Sequence, residues 1–246
     1  MFIGVASAAA NVSQLASVEH FVSLKFLKGK SFIANYSGSS MQSSLEVIHR
    51  ELKDVQERRE KLIKGTRDVV MLCSKSIVAL HQGQIEDAKN KMKEARTILE
   101  EFRKHAKEDL YRYISVAEQE LVEAYTLRAV MENAPLPSMK DLEVTGPSYL
   151  TGLLDCVGEI KRLVYDRMRA GNENDAEQLF GTMEEIYNTI YPFAVYDNIV
   201  SGLRKKLDVA RMLIEDIRAL VTEESRRRAM MAAIGDLEKM VKRDLA

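Results

Sequence analysis

Four acidic residues, Glu120, Glu123, Asp155 and Glu159, stand at spacings that could gather carboxylates around one cation. Glu120 and Glu123 are three apart in "SVAEQELVEAYTLRAVME". There the column Val116, Glu120, Glu123, Leu127 and Val130 reads as one helical face, apolar at both ends and acidic in the middle. Asp155 and Glu159 are four apart in "YLTGLLDCVGEIKR", again on a common face, with Arg162 just beyond. If the two faces oppose each other, four acids meet. Like charges in a partly buried place then either raise one another's pKa or take up a cation. Oxygen donors with no His or Cys at the same helical spacing select a hard ion, Mg²⁺ or Mn²⁺. Such an ion suits phosphodiester cleavage, because it lowers the pKa of a bound water and steadies charge on phosphate oxygens. The same spacings also suit solvated salt-bridge faces with Arg128 and Arg162 as partners, and on spacing alone that reading is the commoner one. A di-iron bundle is disfavoured, since neither segment carries Glu-x-x-His.

The elements that must position these acids are helices. The 246 residues include only 4 Pro and 12 Gly, too few interruptions for a many-stranded fold. A column from Ile48 through Leu52, Val55, Arg59, Leu62, Thr66, Val69, Cys73, Ser76 and Leu80 predicts one very long helix ending near Gly83. Ile85, Ala88, Met92, Ala95, Leu99, Phe102, Ala106 and Leu110 mark the next, which the pattern allows to fuse with the helix of the glutamates. "NAPLPSMKDLEVTGP" reads as a loop. Leu150 to Met168 forms a further helix, stopped at Gly171; Ala176 to Ile190 forms another, running up to Pro192. Leu203 to Val221 is the last long stripe, and "EESRRRAMMAAIGDLEKMVKRDLA" reads as a separate charged helix. The fold class expected is an all-α bundle of six to seven helices.

Lys plus Arg number 36 against 37 Asp plus Glu, so a polyanion would have to be bound by a local patch. Two segments offer one: Arg58, Arg59, Lys61, Lys64 and Arg67 in "QERREKLIKGTRD", and Arg103, Lys104, His105, Lys107 and Arg112 in "EEFRKHAKEDLYR", where Tyr111 and Tyr113 stand near for base stacking. Interleaved acids weaken both, and solvated helix faces are the default. Two distant cysteines, Cys73 and Cys156, suggest neither a disulfide nor a zinc site and fit a reducing cytosol. No apolar run is long enough to span a bilayer, and "MFIGVASAAANVS" lacks the basic start of a secretory signal. Residues 1–43 are nearly charge-free and read as a flexible arm, or as sequence upstream of a true start at Met41. "FLKGKS" ends like a phosphate loop, but Leu24 stands where the first glycine belongs.

Several segments share order and spacing with a known family. "RREKLIKGTRDVVMLCSKSIVALHQG" resembles the long first helix of the translin family, with its KREK, SRD, SK and LLH elements. "QELVEA" is similar to QEYVEA of trax, the partner subunit, and "YLTGLLDCVGEIKR" to its YLLGVADLTGELMR; "LRKKLDVARMLIEDIRAL" resembles the shared final helix. The resemblance covers residues 44–222 and leaves 1–43 and 223–246 outside, the latter as a charged C-terminal helix. It points to a single-gene relative of archaeal type.

The resemblance implies a translin-like bundle that assembles from identical subunits into a hollow oligomer, commonly an octamer, enclosing RNA. It implies that Glu120, Glu123 and Asp155 are the catalytic, Mg²⁺-holding positions of a trax-type endoribonuclease cutting single-stranded or unpaired RNA, with Glu159 in support. This reverses the balance reached from spacing alone. The two basic segments lie where the family carries nucleic-acid contacts, which nominates Arg58, Arg59, Lys64, Arg67, Arg103, Lys104, Lys107 and Arg112. Leu121 replaces a family tyrosine and Lys161 a methionine, neither of them a proposed ligand. Two other readings stay open: a translin-like binder of single-stranded DNA or RNA that does not cut, and a helical scaffold whose acids point to solvent.

Overall fold

The computed structural model describes residues 40–244, so "MFIGVASAAANVS", "FLKGKS" and all but the end of the expected arm lie outside the described residues. Among those described, every regular element is helical: α1 (Ser40–His81), α2 (Ile85–Arg103), a 3₁₀ segment (Glu108–Tyr113), α3 (Ser115–Met131), α4 (Met139–Leu142), α5 (Gly146–Arg169), α6 (Glu173–Ile190), a second 3₁₀ segment (Tyr191–Tyr196) and α7 (Leu203–Asp244). None of these helices is long and apolar enough to cross a membrane.

The chain divides into two compact units, residues 1–57 and 58–246. In the first, the described residues are the opening turns of α1. Met41, Leu45, Ile48 and Leu52 continue the heptad seam there but are exposed. In the second unit the expected stripe is buried at Leu62, Val69, Cys73, Ser76 and Leu80. Gly83 then closes the helix, at φ 74°, as its N–H bonds the Leu80 carbonyl and that of Gln84 reaches Ala79.

α2 buries Ala88, Met92, Ala95 and Leu99, as its pattern requires. It does not fuse with the glutamate helix. After Arg103 the backbone bonds shorten to three-residue turns, Lys104 to Glu101, Leu110 to Lys107 and Ile114 to Tyr111, so Ala106, Leu110 and Ile114 are buried on a tighter path that redirects the chain. The proline-rich connector also holds more structure than a loop: Ser138 and Asp141 cap each other's backbone N–H groups and start α4. Pro147, in the first turn of α5, removes a donor that would have no helical partner.

α5 is the central helix, packed against α3, α6 and α7. The last stripe and the charged tail form one continuous helix rather than two. Nothing between Val221 and Glu224 stops it, and Arg228 is tied to Glu173 and Glu177 of α6 just past that point.

A buried carboxylate that the sequence does not single out braces this bundle. Glu118 of α3 is 0% exposed. Its Oε1 accepts from Tyr111 Oη at 2.6 Å, its Oε2 from Thr145 N at 3.2 Å and Oγ1 at 3.0 Å, and Arg103 stands 3.5 Å away. Burial and the bond to Glu118 raise the Tyr111 pKa. Arg103, nominated above as a nucleic-acid contact, is thereby turned inward, and it also bonds the Leu142 carbonyl at 3.2 Å. Glu118→Gln keeps the shape and removes the charge, leaving the guanidinium only the more exposed carboxylate of Glu143, 3.6 Å away. Urea denaturation is expected to show a loss of about 1–2 kcal/mol.

Candidate active site

Glu120 and Glu123 come from α3, Asp155 and Glu159 from α5, and the two helices are brought together by a missing side chain. A Cβ on Gly152 would lie 2.6 Å from the Gln119 carbonyl oxygen and 2.7 Å from Val122 Cβ, so only glycine permits this backbone approach. Gly152 is one turn before Asp155, while Gln119 and Val122 adjoin Glu120 and Glu123. The contact therefore sets the distance between the two acidic faces.

Each acid has a distinct setting. Asp155 is held on both oxygens: Gln119 Nε2 donates to Oδ2 at 2.6 Å, and Lys206 Nζ, from α7, donates to Oδ1. Glu159 Oε2 accepts from His81 Nε2 at 2.6 Å. Against an ionised carboxylate Nε2 is the donor, and Nδ1 is buried without a hydrogen bond. That bond, assisted by Arg162, holds the Glu159 carboxyl below its ordinary pKa.

Glu120 and Glu123 have no hydrogen-bond donor among the described residues. Burial, with Asp155 and Glu159 nearby, raises the pKa of Glu120. Burial and then the charges of Glu120, Asp155 and Glu159 push that of Glu123 up to about 8. The same field reaches the thiols: Cys73 is pushed up to about 12 by burial, Glu120 and Glu123, and the fully buried Cys156 is raised as well. Neither thiol is poised to act as a nucleophile or a soft metal ligand.

Glu120 and Glu123 thus lie in the field of Asp155 and Glu159, and the latter two are salt-bridged, to Lys206 and to His81. Arg128 pairs with Glu132 at 3.6 Å and lies over the Tyr125 ring, away from Glu120 and Glu123. Among the described residues no group of three or more His, Cys, Asp or Glu side chains is gathered tightly enough to hold a metal ion as it stands. The donor chemistry nevertheless fits a hard divalent ion: oxygen ligands, two of them without donors, crowded enough to disfavour their own ionisation. A cavity of about 640 Å³ elsewhere in the second unit, bordered by Leu136, Leu153, Leu163 and Ile190, includes none of the four.

Of the basic candidates, Arg59 and Arg112 flank the Tyr113 ring at 5.4 and 5.1 Å, and Arg59 Nε donates to its hydroxyl at 2.9 Å. Lys104 is paired with Glu101 at 2.6 Å. Lys64, Arg67 and Lys107 are exposed, and Arg58 is partly so. Lys161 reaches Asp216 of α7 at 2.9 Å, and Leu121 is fully buried.

The Translin family profile matches residues 57–221. The chain belongs to that family. An uncharacterized protein of Methanocaldococcus jannaschii is 30% identical over 160 residues, which is 64% of this chain and 72% of the relative. Among solved structures, AfC3PO in complex with duplex RNA shares 33% identity at a TM-score of 0.71, covering 76% of this chain and 98% of that one. AfC3PO alone gives 33% and 0.70 over 76% and 99%. Apo-NeC3PO, at 22% identity and a TM-score of 0.64, shares the fold. All four acids, His81 and Lys206 fall inside the Translin match, whereas the end of α7 lies beyond it.

The sequence reading missed Gln119, His81, Gly152 and Lys206. Only Lys206 had a usable signal: it sits between Leu203 and Leu207 on the edge of the buried stripe, while its neighbour Lys205 is exposed.

Proposed function

We propose that this Translin family member is a divalent-metal-dependent endoribonuclease of the trax type, acting on single-stranded or unpaired RNA inside a shell of identical subunits, with the octamer as the expected size. The observation that carries the reading is the pair Glu120 and Glu123. They are crowded by the charges of Asp155 and Glu159 and have no hydrogen-bond donor among the described residues, an arrangement costly to maintain unless a cation is to be received. Glu120, Glu123 and Asp155 would hold Mg²⁺ or Mn²⁺, and the ion, when bound, supplies a water of lowered pKa and a counter-charge for phosphate oxygens. Glu159, fixed by His81, keeps its charge beside them and adds to the field. Gln119 orients Asp155. Lys64, Arg67 and Lys107 offer charge to an RNA backbone, and Arg59 and Arg112, gathered at the Tyr113 ring, add to it. The AfC3PO complex with duplex RNA supports nucleic-acid binding in general and is a reason to test both strand forms.

Labelled single-stranded and duplex RNA, incubated with purified protein in Mg²⁺ and in EDTA and again with Glu123→Ala, test the reading. Cleavage is expected only for the wild type with the ion; turnover that persists in EDTA or in the variant refutes the metal site. A second reading, a translin-like binder that does not cut, is favoured by the Lys206–Asp155 pair, which gives the acids a cation of their own. Its signature is salt-dependent binding with no divalent-dependent turnover.

A further inference from the structure

Lys206 joins the acidic cluster from a third helix. Leu203 and Leu207, both buried, fix the first turns of α7, and the lysine stem between them is 29% exposed. Its Nζ donates to Oδ1 of Asp155, whose other oxygen is already occupied by Gln119. Its charge also reaches Glu120 and Glu123, opposing the acids that surround them. Glu159, by contrast, is served by His81 and Arg162. Each cation in the cluster therefore has its own acids, and Lys206 serves the three that would bind a metal.

Two cations cannot share one carboxylate oxygen at contact distance without strong repulsion. Asp155 would offer Oδ1 to such an ion only as Lys206 gives up its bond there. The lysine stem has four rotatable bonds, and its backbone is anchored by the buried leucines, so the displaced group swings without leaving the site. The acids Glu120 and Glu123 still attract the released charge, and an RNA phosphate held at the cluster would offer it non-bridging oxygens.

We propose that Lys206 is a resident counter-cation that competes with the divalent ion for Asp155 and, once displaced, binds the phosphate of the RNA to be cut. The inference rests on the metal-dependent reading above. It assigns to one residue two roles that pull in opposite directions: Lys206 weakens metal binding and strengthens the reaction.

The test compares wild type, Lys206→Met, Lys206→Arg and Glu123→Ala. Mn²⁺ affinity is measured by calorimetry on RNA-free protein, and turnover is measured at saturating Mn²⁺. Lys206→Met is expected to bind Mn²⁺ about tenfold more tightly, as one opposing charge is removed, yet to cut RNA at least about tenfold more slowly. Lys206→Arg keeps the charge and is expected to bind Mn²⁺ like the wild type. Unchanged or weaker Mn²⁺ binding by Lys206→Met overturns the competition. Tighter binding with undiminished turnover overturns the phosphate role. A wild type that binds no Mn²⁺, or a Glu123→Ala variant that binds it equally well, overturns the metal reading itself and the inference with it, so the two failures are distinct. Should methionine prevent folding, Lys206→Gln reads the same quantities.

Discussion

Gly152→Val is expected to lower folding stability by about 3 kcal/mol or more and to eliminate divalent-dependent cleavage in whatever protein still folds. The cause lies in the contact between α3 and α5. Even a single Cβ at this position would stand 2.6 Å from a backbone carbonyl and 2.7 Å from Val122 Cβ, neither of which can rotate away. Valine adds two more carbons. Relief requires the helices to separate, which opens the core around Leu121, Val157 and Ile160 and moves Asp155 away from Glu120 and Glu123. Gly65 is the natural control. A Cβ there would overlap the Phe102 ring, but that ring belongs to a partly exposed side chain at the end of α2 and can swing out. Gly65→Ala is therefore expected to cost clearly less. Thermal and urea denaturation of the two variants decide the matter; a Gly152→Val protein as stable as the wild type would mean that α3 and α5 do not touch here.

The helices were legible in the sequence wherever burial is one-sided. The stripes of α2, α5 and α6 fall where their apolar periodicity puts them, because each presents one face to a common core. Periodicity says less about what covers a stripe: the seam of α1 is continuous from Met41 to Leu80, yet only its part from Leu62 onward is buried. It also cannot distinguish an α-helical turn from a 3₁₀ turn, so the redirection between Arg103 and Ser115 was invisible. Charged composition suggested a boundary in α7 where the backbone has none. α3 is buried on most of its circumference, so its acids had to be sorted by partners and not by face. Glu118 and Glu120, two apart, have opposite roles, one bracing the fold and the other crowded with like charge. Glu120, Glu123, Asp155 and Glu159 could be nominated because helical spacing brings carboxylates together locally. Lys206 and His81 arrive from helices distant in sequence: the apolar stripe puts Lys206 at its edge without naming its partner, and no local spacing registers His81.

The metal-free protein is expected to lose stability as pH rises from about 4.5 to about 8, and Glu123→Gln is expected to remove most of that slope. Unfolded, Glu123 releases its proton near its ordinary value of 4.5; folded, it holds the proton up to about 8. Between those limits the native state binds more protons than the unfolded state, so raising the pH favours unfolding, the reverse of the usual salt-bridged carboxylate. Glutamine keeps the size of the side chain and never ionises, so at pH 8 it should be the more stable protein. Because Glu123 retains some contact with solvent, the gain is set at about 2 kcal/mol, less than the whole shift would give. At pH 4 the two proteins should unfold together. Mg²⁺ should flatten the wild-type slope by compensating the carboxylates as they ionise, and should leave Glu123→Gln nearly unchanged. Urea titrations at several pH values, with EDTA and with Mg²⁺, measure all four conditions. A wild type that becomes more stable toward pH 8 in EDTA would show that Glu123 is not crowded by its neighbours, and the electrostatic case for a cation between α3 and α5 would fail with it.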